Sequence, residues 1–427
     1  MRKAFLCAMV VTLGFGVALG QAQYKVLYNF GSVPNDGLFG IYSLVADAAG
    51  NLYGLTLEGG TMNGGTVFEL SPTSGGSWIE TTLYNFCPNN LTCPDGSSPG
   101  GLAIDSKGNL YGTTFFGGQS SCPVNGSALG CGVVFELSPP TPQGGSWTYV
   151  VLYNFCSVLS GGACEDGTYP VGAPIFDKSG NLYGATEGGG PSNGGGVVFE
   201  LLPTSGGWTE TVLYGFCSIY QNGYCLDGDV PYWGPTFDKS GNLYGTTAGG
   251  GNPTSYSGGT IYRLSPASGS WTETVLYAAP PARMQGINDL GPVSIDPTGN
   301  LYTTLTSEYG QTSGNGAVGS LSPDGKVRAF FFDGVDGRGA WTGVLVDSKR
   351  HVLYGTTGVW PYFTGNVFQL DSLGHETVLY SFCSQPDCAD GYNPGGLLED
   401  KLGNLYGITL YGGNQGEGYG VVFELTP

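Results

Sequence analysis

One phrase constrains this chain more than any other: Gly-Asn-Leu-Tyr-Gly stands at 50–54, 108–112, 180–184, 241–245 and 403–407. Two altered copies keep the rhythm, Gly-Asn-Leu-Tyr-Thr at 299–303 and Arg-His-Val-Leu-Tyr-Gly at 350–355. Seven copies about 50 to 70 residues apart fall in the size range of propeller blades. Each copy sits in a four-part unit. In the second unit a strand ends at Asp105, and a tight turn, 106–108, leads into a second strand over 109–114. A Gly-rich loop precedes a third strand at 132–137, and a short Pro/Gly/Ser turn precedes a fourth at 147–155. Four short antiparallel strands per unit and no helical period predict the blade of a β-propeller. Gly is frequent at 78 residues, but aromatics make up 13% of the chain, which is a composition of strands and turns rather than of disorder.

The chain ends predict a closed ring. The last unit holds only three strands, at 395–400, 404–409 and 420–426. The missing fourth has the form Thr-Val-Leu-Tyr-x-Phe, as at 211–216 and 377–382. That form recurs at Tyr24-Lys25-Val26-Leu27-Tyr28-Asn29-Phe30. An unpaired edge invites aggregation, and pairing the two termini removes it. The expected fold is all-β: a seven-bladed β-propeller over 23–427, with the N-terminal strand completing the last blade.

Residues 1–22 read as a signal peptide. Arg2 and Lys3 precede an apolar run at 4–19, and small residues follow at Ala18, Gly20 and Ala22. The run is shorter than a membrane span of about 20 residues. A secreted monomer with no membrane insertion and no tail anchor is expected. The net charge of −19 repels nucleic acid and anionic lipid, and it leaves glycans, cations and protein surfaces as partners.

The phrases Gly-Asn-Leu-Tyr-Gly-Thr-Thr, Gly-Gly-x-Val-Phe-Glu-Leu-Ser-Pro and Thr-Val-Leu-Tyr-x-Phe resemble the GloVer tandem repeat of bacterial extracellular choice-of-anchor proteins. The resemblance covers nearly the whole mature chain. It implies display at the cell surface through varied C-terminal anchors, and it brings no catalytic residues. This chain has no such tail, so release is the expectation.

In a propeller, the loops from strand two to three and from strand four to the next blade emerge on one face. Here they are long and varied, whereas the turns of the other face are short and uniform, as at 177–181 and 238–242. Varied loops on a rigid scaffold carry binding. The ten mature cysteines fall as neighbours in those long loops: Cys87/Cys93, Cys122/Cys131, Cys156/Cys164, Cys217/Cys225 and Cys383/Cys388. Export permits disulfides, and sequence alone leaves their connectivity open.

An acid precedes strand one in most units: Asp36, Asp95, Asp166, Asp227, Asp336 and Asp390. These acids either form a ring around the channel, which Ca²⁺ would suit, or accept hydrogen bonds from their own loops. Five positions before the Asp that ends strand one, most units have Gly, but two have Tyr42 and Trp233. Trp341 stands near the same level, and Trp360, Tyr362 and Phe363 replace a Gly-rich segment. These aromatics either form a sugar-binding platform or plug the channel. Trp78, Trp147, Trp208 and Trp271 recur at the start of strand four and are expected to pack at the outer edge.

No catalytic constellation emerges. His351 and His375 map to short turns, and 190–194 matches a nucleophile-elbow pattern outside its strand–turn–helix setting. The expected function is a binding or scaffold module for a glycan or protein, with no required cofactor. The alternatives are a polysaccharide-active hydrolase or lyase using carboxylates at the channel mouth, and a structural cell-surface component.

Overall fold

The turn that opens each repeat phrase is built from its own side chains. The Asp177 carboxylate accepts the backbone N–H groups of Ser179 at 2.8 Å and Asn181 at 2.9 Å. The Asn181 amide donates to the second carboxylate oxygen at 3.0 Å, and Gly180 takes φ +88° between them. Asp47, Asp105, Asp238, Asp296 and Asp400 repeat the arrangement. The Leu that follows is buried. The closing Gly lies under a Phe of the third strand, and a Cβ on Gly184 would overlap the Phe199 ring. Gly54, Gly112, Gly355 and Gly407 lie in the same way under Phe68, Phe135, Phe368 and Phe423. The fifth blade reverses this pair. Thr303 stands where the others have Gly, and its cross-strand partner is Gly319 instead of Phe. The two departures offset each other, as close packing demands.

The computed structural model describes residues 22–427, except 89–92, 119–121, 123–128, 142–143, 255–256, 280–286, 308–314, 333–338, 359–363 and 415–417. Apart from Ala22, the expected signal segment lies outside the described residues. The strands form seven antiparallel sheets, each followed by the next around a ring, so the protein is a seven-bladed β-propeller. Blade one runs Gly37–Ala46, Leu52–Gly59, Thr66–Pro72 and Trp78–Asn85, from axis to rim. The inner strand of blade four shrinks to Thr236–Phe237, and that of blade five splits into Ile287–Leu290 and Ser294–Ile295.

The Val-Leu-Tyr phrase of strand four encodes a β-bulge. Its Leu is an extra residue in six blades: Leu27, Leu83, Leu152, Leu213, Leu276 and Leu379 each interrupt the register opposite strand three. A bulge twists an edge strand and discourages pairing with another chain. Val327–Phe331 of blade five lacks the phrase and pairs without interruption.

The seventh blade contains Tyr392–Glu399, Leu405–Tyr411 and Val421–Thr426, and Gln23–Asn29 is its fourth strand. Pairing runs from Gln23 opposite Thr426 to Asn29 opposite Val421. Tyr24 also ties this strand to blade six. Its ring stacks on Tyr380 at 3.9 Å, and its hydroxyl donates to the Asp390 carbonyl at 2.5 Å. Tyr149 of blade two makes the same stack on Tyr84 and the same bond to the Asp95 carbonyl. The N-terminal strand thus reproduces both attachments of the fourth strand of blade two, whereas blades one, three, four and six carry a Glu at the equivalent position.

The strand-four tryptophans bind neighbouring blades rather than capping an outer edge alone. Trp147 packs edge-on against Tyr53 of the preceding blade, Trp271 against Tyr183, and Trp78 against Tyr406, with centroids 6.1 to 6.4 Å apart. Each partner is the Tyr of the repeat phrase.

Truncation of Tyr24→Ala removes one stack and one hydrogen bond at the closure and is expected to cost about 3 kcal/mol. Deleting 23–29 exposes the edge of Val421–Thr426 and is expected to yield aggregates. Urea unfolding and size-exclusion chromatography check both, and an unchanged midpoint with a monomeric deletion variant would contradict the closure.

Candidate functional site

The recurrent aspartates anchor the long loops. Asp166 is buried, and one of its oxygens accepts the Tyr153 hydroxyl at 2.8 Å and the N–H and hydroxyl of Ser157 at 2.8 and 2.9 Å. Its other oxygen accepts the Val158 N–H at 3.3 Å. Asp227 holds Tyr214, Ser218 and Ile219 in the same way, and Asp390 holds Tyr380, Ser384 and Gln385. Asp36 accepts from Tyr28, Ser32 and the Gly37 N–H, and Asp95 from Tyr84 and the Cys87 N–H. Each acid therefore joins the fourth strand of one blade to the loop that enters the next. Asp336 lies outside the described residues.

Disulfides brace the same loops. The pairs are Cys87–Cys93, Cys122–Cys131, Cys156–Cys164, Cys217–Cys225 and Cys383–Cys388. Each closes a small loop and stabilises by about 2–3 kcal/mol in the chain-entropy account. The sulfurs of Cys131, Cys156 and Cys164 lie within 4.8 Å of one another, so two bridges sit side by side. All three sulfurs are committed to disulfides, which leaves no thiolate for a metal.

Two of the braced loops are small β-hairpins. Leu159–Ser160 pairs with Ala163–Cys164 across Gly161 and Gly162, and Tyr220–Gln221 pairs with Tyr224–Cys225 across Asn222 and Gly223. Both turn residues have positive φ in each hairpin, which matches a two-residue turn. The hairpins expose apolar side chains: Val158 at 50%, Leu159 at 60%, Ile219 at 47% and Tyr220 at 52%. Tyr232 is also exposed, in the segment that follows the second hairpin. These residues were not singled out by sequence reasoning. The signal was there: Cys-Ser-Val-Leu at 156–159 and Cys-Ser-Ile-Tyr at 217–220 place apolar pairs between cysteines in loops that should be polar.

The expected aromatic residues meet at the axis. Trp233 lies 6.1 Å from Tyr42 and 6.1 Å from Trp341, and Tyr232 packs edge-on against Trp233. Tyr42, Trp233 and Trp341 come from blades one, four and six, and side chains from such separated blades touch only near the centre. Trp233 is 8% exposed, and the Trp341 indole N–H is buried with no hydrogen-bond partner among the described residues. Tyr42 holds φ +59°, a conformation that suits Gly better. Elsewhere at this level Gly allows close approach of inner strands, and a Cβ on Gly172 would press on Gly234 of the next blade. Burial raises the Tyr42 hydroxyl, aided by Tyr232 and Glu187, and burial raises the Glu187 carboxyl. Trp360, Tyr362 and Phe363 lie outside the described residues. His375 faces Asp371 at 2.9 Å in an exposed turn of the opposite face.

A second tier of acids sits in strand four. Burial raises Glu210 to about 8, with the Asp166 charge adding to it. Burial likewise raises Glu80 and Glu273 to about 7, with Asp36 and Asp227 beside them. The Oε1 atoms of Glu210 and Glu273 are buried with no hydrogen-bond partner among the described residues.

The Gloeobacter/Verrucomicrobia repeat family matches the chain at residues 13–251, 123–357 and 235–427. None of the curated proteins matches it. Among solved structures, PorZ of Porphyromonas gingivalis, an essential bacterial surface component of the type-IX secretion system, aligns over 94% of this chain at 14% identity and a TM-score of 0.51. The chain spans 48% of the length of PorZ. A polysaccharide lyase of family PL25, an ulvan lyase, aligns at 12% identity over 91% of this chain and 94% of its own, with a TM-score of 0.50. At these identities the likeness is one of fold.

The raised glutamates fix a pH dependence. Their folded values exceed the unfolded value of about 4.3, so the folded state binds more protons between about pH 4.3 and 8. Stability is expected to fall as pH rises through that window. At Asp238 and Asp400 burial opposes ionisation, but bonds from Asn242 and Asn404 outweigh it and hold the carboxyls low. That contribution is lost only in stronger acid, below about pH 4. Melting temperature measured from pH 5 to 8.5 checks the trend, and Glu210→Gln is expected to flatten it and to raise the melting temperature at pH 8. A flat profile for the unaltered protein would contradict it.

Proposed function

The chain belongs to the Gloeobacter/Verrucomicrobia repeat family, and from that premise we propose that it is an exported binding propeller that holds a protein partner on its disulfide-braced face. The observation that carries this is the pair of stapled hairpins with half-exposed Val158, Leu159, Ile219 and Tyr220. Leaving such side chains in water is unfavourable, and clustered exposed apolar groups mark interaction sites. The disulfides and the buried Asp166 and Asp227 hold the tips before any partner arrives, so little entropy is lost on contact. Aliphatic tips suit an apolar hollow on a protein, whereas sugar rings stack better on aromatic faces. Five disulfides support an oxidising compartment, and no helix of the described residues is long and apolar enough to cross a membrane. The net charge of −19 supports a neutral or basic partner and disfavours nucleic acid.

Crosslinking on intact producing cells, followed by capture of the tagged protein, is expected to recover a defined partner. Leu159→Asp and Ile219→Asp are each expected to weaken its binding at least about tenfold, as loss of a central anchor does. Melting temperature should stay unchanged, because both side chains face solvent. Equal capture by both variants would remove the hairpins from the reading.

One observation favours a second reading, a polysaccharide-active enzyme. Glu187 is a carboxyl raised by burial, and its charge acts on Tyr42, which stands where aromatic rings gather at the axis. Release of new reducing ends or unsaturated products from a panel of neutral and acidic polysaccharides is the expected sign, with loss in Glu187→Gln. Inactivity across the panel would dismiss it.

A further inference from the structure

The face opposite the braced loops holds a cleft of about 610 Å³ between blades five and six. Its origin is a set of small residues converging on one ring. In blades one, two, three and seven the Tyr of the repeat phrase has Glu as its cross-strand neighbour: Glu69, Glu136, Glu200 and Glu424. Tyr183 and Tyr406 donate their hydroxyls to that Glu. In blade four the neighbour is Arg263, and in blade six it is Gln369. In blade five alone it is short, Ser320 opposite Tyr302.

The other side of the same ring is also stripped. The next blade ordinarily brings the strand-four Trp over the Tyr, as Trp147 does for Tyr53. In blade six the pairing of strands three and four stops at Leu370 opposite Glu376, and the equivalent position is Gly374 in the turn. At two other positions that lack the Trp, an arginine of the same blade stands beside the Tyr, Arg263 by Tyr244 and Arg350 by Tyr354. Arg350 also bridges Asp347 and Glu399 across the junction between blades six and seven. Around Tyr302 the arginine stands one strand farther out, Arg328 opposite Ser320, where it lines the cleft and leaves the Tyr302 ring to Asp296 and Asn300.

We infer that this cleft is a binding site for a neutral saccharide. Tyr302, Phe330 and Leu353 supply an apolar wall for the C–H face of a sugar ring, and Ser320, Lys326 and Asp371 stand around it as donors and acceptors for hydroxyls. Sugar hydroxyls both donate and accept, so a rim of mixed character suits them. An anionic sugar is disfavoured, because four carboxylates, Asp296, Asp324, Asp347 and Asp371, line the cleft against two bases, Lys326 and Arg328, and bonds from neighbouring groups hold Asp296 and Asp347 low despite burial. The volume is in the range of small-ligand sites, roughly 300 to 1,000 Å³. The site lies on the face away from the hairpins, so it stands or falls apart from the protein-binding proposal.

The test uses the mature chain, 23–427, and calorimetric titration with four probes: cellohexaose, maltohexaose, xylohexaose and, as the anionic arm, hexagalacturonic acid. The unaltered protein is expected to bind at least one neutral probe and to prefer it to the anionic one. Ser320→Glu installs the residue that four other blades carry at this position, and it is expected to weaken binding more than tenfold without lowering the melting temperature. Tyr302→Leu is the second variant, should Ser320→Glu fold poorly, with the same loss expected. The inference is overturned if no neutral probe binds, if the anionic probe binds more tightly, or if the folded variants bind as the unaltered protein does.

Discussion

The ring exists because Gln23–Asn29 pairs with Val421–Thr426. Every other blade pairs its strands from one continuous stretch of chain, but this pairing joins the beginning of the domain to its end. It satisfies the backbone of an edge that would otherwise face water or another chain. It also determines where everything else points. Only in a closed ring do Tyr42, Trp233 and Trp341 converge on one axis from three blades. The Tyr24 stack on Tyr380 repeats at the closing blade the attachment that Tyr149 makes on Tyr84.

The interior and the braced face are parts of one device. In five blades the buried aspartate before the inner strand receives a Tyr hydroxyl from the previous blade and backbone N–H groups nearby. Blade packing therefore orients the loops, and the loops in turn seal the acids from solvent. Charge enters at a cost that shows in the raised glutamates of strand four, which lie beside those same acids. A surface that presents apolar tips rests on a layer of hydrogen-bonded carboxylates.

Much of this was legible in the sequence because the repeat phrase names a structural role at each position. Asp and Gly-Asn specify the turn, Leu the core, Tyr the neighbouring blade, and Gly the space for Phe. The strand count and the terminal pairing follow from that grammar. The bulge at Leu213 was not legible, since Val-Leu-Tyr satisfies both a regular strand and a bulged one. The axial contacts were half legible: Tyr42 and Trp233 stood out against Gly, but whether they ring a mouth or touch depends on blade geometry. The cleft at Tyr302 was hidden because it arises from Ser320 and Gly374, two residues that attract no notice alone. Departures from a repeat become informative only when the fold shows which of them share a neighbour.

The disulfides carry a consequence for how the molecule is made. Every bridge joins cysteines that are consecutive after Cys7, five to nine residues apart. Where such a chain oxidises as it is extended from its N-terminus, each cysteine meets its native partner before a later one arrives. An oxidase acting on the nascent chain produces the correct connectivity by order of appearance, with little call for an isomerase. The loops can be finished while the ring is still open, so oxidation and circularisation proceed as separate events.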